Sequence, residues 1–480
     1  MSQFKSKFIS GVFWTSIEMV INRSFKFFIK LILARVLFPE DYGIIGMAVV
    51  FTSLIGVFND LGLSAALIQR KEKNLTEDHY STAFWSGILW SFLIYALIFF
   101  IVSPLASSFY EEPILEKIIP VLSISILASP ITMVHTAIVT RKLDFKKISR
   151  ISNSSTIISG IVALIMALNG AGVWALVFNS VASIVVALPQ WFFASEWLPK
   201  LKFSKKAFKD VFGFGVFTTG TKLFSTINAQ IDYLIVGKLL GASALGLYSF
   251  AFLLTSVIRA QILQVIERVI YPIFSQYQDQ PSRLKSYYLK LLKINIYIIF
   301  PLMSGLIIFS NYLVPLIFGQ KWEDSILVVQ FLSIGVLIST LVSSSGVYIR
   351  ASGKPSLELK LAGINSIFFF VPAIIIGTYY FGLHGAALGY VIAMSATTIL
   401  RLVYLRRIFN IYFNETIKSV ATPLLVTFVP FLLSNFLKFT SIYWVLNLLI
   451  YLLLFGAMIF IFSKKDVLLL KSSLNEYRNK

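Results

Sequence analysis

The stretch Gly11-Val12-Phe13-Trp14-Thr15-Ser16-Ile17-Glu18-Met19-Val20-Ile21-Asn22-Arg23-Ser24-Phe25-Lys26-Phe27-Phe28-Ile29-Lys30 is apolar enough to enter a membrane, yet it carries four charges. A degenerate copy of it lies further along. Gly11-Val12-Phe13-Trp14-Thr15-Ser16 is answered by Gly215-Val216-Phe217-Thr218-Thr219-Gly220, an offset of 204. Arg35-Val36-Leu37, Gly43 and Ala48 are answered by Lys238-Leu239-Leu240, Gly246 and Ala251, at 203. One residue has slipped between the two sets. The copy also carries residues that hydrocarbon disfavours, Lys222 and Asp232, and the two helices read as polar walls of one central cavity.

The rest of the chain is membrane-like. Of its 480 residues 57% are hydrophobic and 15% aromatic, and the mean hydropathy is +0.81. Soluble domains lie lower, so the composition indicates a polytopic membrane protein. About fourteen runs reach the roughly 20 residues that a helix needs to cross a bilayer core, and none shows the alternation of a barrel strand. The expected fold is therefore all-α. It has two lobes of six spans, residues 1–200 and 201–410, related by a parallel repeat, and then two extra spans and a cytoplasmic tail in 411–480. Arg141 and Arg350, and Gly172 and Gly382, are further echoes of that repeat.

Lys and Arg number 42 against 22 Asp and Glu, for a net charge of +20. Their placement decides what this means. One alternate set of loops holds Arg70, Lys71 and Lys73, then Arg141, Lys142, Lys146, Lys147 and Arg150, then Lys200, Lys202, Lys205, Lys206 and Lys209. The opposite loops hold only Arg35, Lys238, Lys321 and Lys438. Because basic residues stay in the cytoplasm, both termini are expected inside, and the excess needs no nucleic-acid partner. There is no Cys and there are three scattered His, so neither a disulfide framework nor a metal site is expected.

At 100° per residue the first span places Glu18, Asn22, Lys26, Lys30 and Arg23 within an arc of about 160°, opposite an aromatic and aliphatic face. The later copy does the same with Lys222, Ser225, Asn228 and Asp232. A charge at mid-helix costs about 2.5 to 3.5 kcal/mol on insertion scales, so several on one face imply a wet cavity or mutual pairing. Pairing of Glu18 with Arg23 or Lys26, and of Asp232 with Lys222, would be structural glue. The surplus of cations over acid in the first span instead suits an anion. Arg259 reads first as a solvated helix end and second as a cavity cation, and His135 as a hydrogen-bonded core histidine. No phosphate-binding GxxxxGK[ST] loop or nucleophile triad is present, so an enzyme is not expected.

Several motifs taken in order resemble the Wzx-type polysaccharide exporters, the lipid-linked oligosaccharide flippases of the MOP superfamily, and within them the colanic-acid and teichuronic-acid exporter branch. They are Ala34-Arg35-Val36-Leu37 with Asp41-Tyr42-Gly43, Asp60-Leu61-Gly62-Leu63-Ser64-Ala65-Ala66-Leu67-Ile68-Gln69-Arg70, Arg141-Lys142-Leu143-Asp144-Phe145, Asp232-Tyr233, Gly241-Ala242-Ser243-Ala244-Leu245-Gly246-Leu247-Tyr248, and Arg350-Ala351-Ser352-Gly353-Lys354-Pro355. The resemblance implies two six-helix lobes around a cavity that works by alternating access. Its implied cargo is an undecaprenyl-pyrophosphate-linked glycan unit, moved from the cytoplasmic to the outer leaflet of a bacterial cytoplasmic membrane. Read with the helix faces, Arg23, Lys26, Lys30, Lys222 and Arg259 are candidates for the pyrophosphate, Asn22 and Asn228 for sugars, and Glu18 or Asp232 for a coupling proton or sodium ion. No cofactor is expected; the partners are the lipid-linked oligosaccharide, membrane lipids, and the polysaccharide polymerase and chain-length machinery. The alternatives are a small-molecule or drug antiporter of the same superfamily, and a membrane glycan polymerase or ligase.

Overall fold

In hydrocarbon a peptide group must find its hydrogen-bond partner within its own segment, which favours long helices. The computed structural model describes residues 2–60, 63–70, 75–212, 216–257, 259–260, 262–263, 274, 276–436 and 444–462, and no strand occurs among them. The tail beyond residue 462 lies outside the described residues. In chain order the helices are α1 (Ser2–Val36), α2 (Pro39–Asp60), α3 (Leu63–Gln69), α4 (Glu77–Leu97), α5 (Ser103–Tyr110), α6 (Leu115–Arg141), α7 (Phe145–Leu168), α8 (Val173–Ser195), α9 (Lys205–Phe212) and α10 (Val216–Phe252). There follow α11 (Pro281–Phe318), α12 (Ile326–Thr340), α13 (Ser345–Ala351), α14 (Pro355–Ile364), α15 (Val371–Phe409), α16 (Phe413–Phe436) and α17 (Trp444–Phe462). Among the described residues 11 stretches are long and apolar enough to cross a membrane.

The chain packs as two compact units, Met1–Gly246 and Leu247–Lys480. In the first, α7 packs on both α1 and α8, and α6 on both α4 and α8. In the second, α12 packs on α11 and α15, and α16 on α11 and α17.

Helix α2 begins where Phe38-Pro39-Glu40-Asp41 dictates. Pro39 takes the first helical position, whose N–H has no acceptor in any case, and the Asp41 carboxylate reaches back to accept the Phe38 N–H at 2.9 Å. One turn on, a Cβ on Gly43 would lie 1.7 Å from the Ala242 carbonyl oxygen, and a Cβ on Gly246 would lie 1.7 Å from the Pro39 carbonyl oxygen. At the repeat offset of 203, Gly43 corresponds to Gly246 and Pro39 to Ala242. The two contacts are therefore reciprocal.

One helical stretch, Pro355–Phe409, is long enough for two crossings. It folds back within α15 at Gly382, whose φ of 60° suits glycine. Below the bend the arms touch backbone to backbone: a Cβ on Gly385 would meet the Gly377 carbonyl oxygen at 1.9 Å, and one on Gly389 the Ala373 oxygen at 2.3 Å. This is close approach through small residues spaced four apart. Another break separates α12 from α13, where Ser344 is left-handed (φ 61°). Buried Asn295 of α11 donates to the Ser343 and Ser344 hydroxyls across that break, at 3.0 and 3.1 Å.

After α8 the chain crosses the start of α4 as a tethered strap. The Lys200 N–H donates to Ser81 Oγ and the Ser204 N–H to Thr82 Oγ1, and Trp85 Nε1–H donates to the Lys200 carbonyl. Arg70 closes it with a 2.7 Å ion pair to Asp210. Burial pushes the Asp210 carboxyl up, but the hydrogen bonds and charges of Arg70 and His79 together outweigh it and hold the group below the ordinary aspartate range.

Two outcomes are expected. Gly385→Ala and Gly246→Ala should each lower the thermal midpoint in detergent, by an overpacking cost of about 1–3 kcal/mol. Gly56→Ala, where a Cβ meets nothing within 4 Å, should leave or raise it. For the strap, a depressed carboxylate stabilises the fold above its unfolded pKa and loses that contribution as pH falls through the folded value. Amide exchange in residues 200–210, corrected for intrinsic rate, should therefore rise in acid below about pH 4. Asp210→Asn should show that rise already at neutral pH.

Candidate functional site

Three faces divide α1. The first is a seam against α7, in which Phe25 and Ile29 close on Gly160, and Leu33 and Leu37 are buried with Ala163, Ala167 and Ala175. The second is an apolar outer face of Ile21, Phe28 and Ile32, all exposed. The third is a polar strip carrying Arg23, half-buried, and Lys26 and Lys30, both exposed. At 100° per residue Lys26, Lys30 and Arg23 fall about 40° to 100° round from Asn22, on the side away from Phe28. Glu18 is half-buried one edge over. Helix periodicity alone therefore turns a run of mixed residues into a cationic strip along α1.

Asn22, expected on that open strip, sits instead in the seam and is 8% exposed. Its amide donates to Thr156 Oγ1 at 2.8 Å, to Ser152 Oγ at 3.0 Å and to the Ser152 carbonyl at 3.2 Å. The α7 surface that receives it is a ladder of Ser149, Ser152, Ser155, Thr156 and Ser159. The amide holds two helices together, and its donors are consumed.

On α10, Lys222 and Ser225 are exposed and Asn228 is half-buried. Asp232 is 2% exposed, and its Oδ1 accepts the Tyr233 N–H at 3.0 Å. The two ion candidates thus differ: Asp232 is a buried carboxylate and Glu18 a partly open one. Arg259 is half-buried in the second unit. His135 is a core histidine as expected, fully buried, with its Nδ1 2.6 Å from Ser195 Oγ.

Two features escaped the sequence reading. Arg141, an echo of the repeat, caps the C-terminal end of α3, where its Nη1 donates to the carbonyls of Leu67, Ile68 and Arg70 at 3.2, 2.9 and 2.7 Å. A cation where the helix dipole is negative is favourable, and a basic residue recurring beside small-residue helices was the available signal. The second is an apolar groove of about 740 Å³ in the second unit, lined by Phe300, Ile307, Leu337, Leu424, Phe428 and Phe431 of α11, α12 and α16 among others. Most of the lining residues look individually like lipid-facing surface, so no sequence signal marks it. Among the described residues no group of His, Cys, Asp and Glu could hold a metal ion.

Long apolar helices and backbone contacts through glycine define a polytopic all-α membrane protein, with a cationic strip on α1 and an internal repeat in its sequence. Residues 32–327 match the family described as "Polysaccharide biosynthesis protein", and the chain belongs to that family. Among similar proteins, the lipopolysaccharide biosynthesis protein WzxC of Escherichia coli K12 is 27% identical over 426 residues, covering 87% of this chain and 85% of WzxC. The teichuronic acid biosynthesis protein TuaB of Bacillus subtilis 168 is 26% identical over 359 residues, 74% of each chain. Among solved structures the fold matches lipid II flippase MurJ in its inward closed conformation, with a TM-score of 0.70 at 16% identity over 96% of this chain and 100% of that one. It also matches an inward-facing MATE family transporter of the MOP superfamily, with a TM-score of 0.63 at 15% identity over 83% and 98%.

The division of labour on α1 has a measurable consequence. Asn22→Leu should destabilise the protein by about 1 kcal/mol, a typical worth for an interhelical hydrogen bond in a membrane protein. Lys26→Gln, at an exposed position, should move the thermal midpoint by no more than about 0.5 kcal/mol equivalent.

Proposed function

We propose that the protein is a flippase that moves an undecaprenyl-pyrophosphate-linked oligosaccharide from the cytoplasmic to the outer leaflet by alternating access. The observation that carries this is the strip of Arg23, Lys26 and Lys30 on α1, with the two lysines open and a single acid, Glu18, beside them. A cationic strip at membrane depth is costly unless something anionic or aqueous meets it, and a pyrophosphate headgroup is such an anion. Lys222 of α10 adds a further exposed cation in the same unit. Asn228 is left to hydrogen-bond sugar hydroxyls. The apolar groove of the second unit suits a stretch of polyprenyl chain, because its walls are almost wholly hydrocarbon.

Family membership and the relatives in lipopolysaccharide and teichuronic acid biosynthesis support the same reading. So does the fold shared with a lipid II flippase. Buried Asp232 is the better candidate for a coupling proton or sodium ion, since a carboxylate held away from water gains most from a cation. The positive-inside pattern favours the cytoplasmic membrane with both termini inside, where polymerase and chain-length machinery would take up the product on the outer side. The MATE fold brings drug efflux into view, but a surplus of fixed positive charge repels the cationic molecules such a pump would carry.

The deciding experiment is transbilayer movement of a labelled polyprenyl-pyrophosphate oligosaccharide in proteoliposomes, with and without a proton or sodium gradient. Protein-dependent movement is expected. Arg23→Glu and Lys26→Glu should each abolish it while the protein still inserts, and wild-type rates in either would sink the anion site. Asp232→Asn should remove the gradient dependence. Expulsion of a small cation with the labelled lipid left in place would transfer the assignment to an antiporter.

A further inference from the structure

The strap after α8 reads Trp197-Leu198-Pro199-Lys200-Leu201-Lys202-Phe203-Ser204 before α9, so apolar and basic residues interleave. In water such a segment would turn its apolar side chains inward. Here Leu198 is 73% exposed, Leu201 88% and Phe203 64%, although the backbone between them is tethered to Ser81, Thr82 and Trp85. Trp197 beneath them is buried, with Nε1–H donating to Glu77 at 3.0 Å. The tethers hold the strap in place, so its outward apolar side chains belong to a built surface.

Charge on this surface is one-sided. The nearby acids are engaged: Glu77 by Trp197, Asp78 by Lys202 at 3.9 Å, Asp210 by Arg70 at 2.7 Å and Glu196 by Lys147 at 3.5 Å. Lys200, Lys205, Lys206 and Lys209 are exposed, and among the described residues none of them has an ion pair. On α9 the last three lie within about 100° of one another, while Ala207 turns inward. The level of the strap is marked independently by the aromatic cluster of Tyr80, Phe84, Trp85 and Trp197 beneath it. Tyr and Trp gather where a membrane protein passes the headgroups.

We propose that residues 195–212 form a lipid-docking strap on the leaflet that faces the termini. Leu198, Leu201 and Phe203 enter the upper acyl layer, and Lys200, Lys205, Lys206 and Lys209 hold the phosphates of anionic phospholipids. Interfacial segments bind by this combination of apolar burial and attraction to anionic headgroups. The site is separate from the cationic strip of α1 and stands whether or not the cargo assignment is right.

The chain has no cysteine, so Leu201→Cys offers a single labelling position. The full-length variant would carry an environment-sensitive fluorophore there, in liposomes of phosphatidylcholine with or without phosphatidylglycerol. Expected is quenching by lipid with a nitroxide high on its acyl chain, several-fold stronger than quenching by aqueous iodide, and a blue shift that grows with phosphatidylglycerol. In a second variant, Lys200, Lys205, Lys206 and Lys209→Gln, the phosphatidylglycerol dependence should disappear; each lysine near such a surface changes apparent affinity about fivefold. All four side chains are exposed, so that variant keeps the fold, which its elution from a sizing column would check. Iodide quenching that dominates in every lipid overturns the proposal. So does nitroxide quenching that is indifferent to phosphatidylglycerol, because the lysines would then hold nothing.

Discussion

A peptide group without a partner in hydrocarbon costs several kcal/mol, and this constraint governs where the chain is allowed to depart from helix. Three departures among the described residues show how they are provided for. At Gly382 the chain bends with a φ open to glycine, and the two arms then approach so closely that Gly377, Gly385 and Gly389 leave no room for a side chain. At Ser343 and Ser344 the helix gives way in the interior, and the amide of Asn295 reaches across from a neighbouring helix to the two hydroxyls. Arg141 supplies donors to three carbonyls at the end of α3. Each of these breaks in the ladder has a polar residue or a glycine assigned to it.

The same constraint gives the reciprocal contact of Gly43 and Gly246 its meaning. Backbone touching backbone can be achieved only where both partners have lost their side chains or point them away. The contact appears twice, in equivalent places, with the same spacing of 1.7 Å from a would-be Cβ to the facing carbonyl. A weak echo in sequence is thereby tied to a pair of equivalent contacts. A glycine under a carbonyl tolerates no substitution without the helices moving apart.

Against this apolar background the charged residues divide by environment. Cations of α1 that are left open, a carboxylate that is buried on α10, and lysines that line an exposed strap all look alike as charged letters in a sequence and differ physically in the fold. Open membrane-level cations suit an anionic cargo, a buried acid suits a small cation, and interfacial lysines suit headgroup phosphates. The grouping follows from exposure, with helix periodicity supplying the first sorting.

Much was legible without coordinates. Hydropathy over windows of a helix length marks membrane spans because the bilayer sets one fixed thickness, and 3.6-residue periodicity placed Lys26, Lys30 and Arg23 on one strip because that geometry is local to a single helix. The offset of 203 was readable for the same reason: a repeat is a property of the chain itself. Only the tertiary structure decided that Asn22, though within the polar arc, belongs to the seam with α7, since nothing in α1 says which helix will lie beside it. Only it showed that Arg141 caps α3, that α11, α12 and α16 enclose an apolar groove, and that the strap turns its apolar side chains outward. These depend on neighbours distant in the chain, and a residue's partner across a helix interface is set by how whole helices pack.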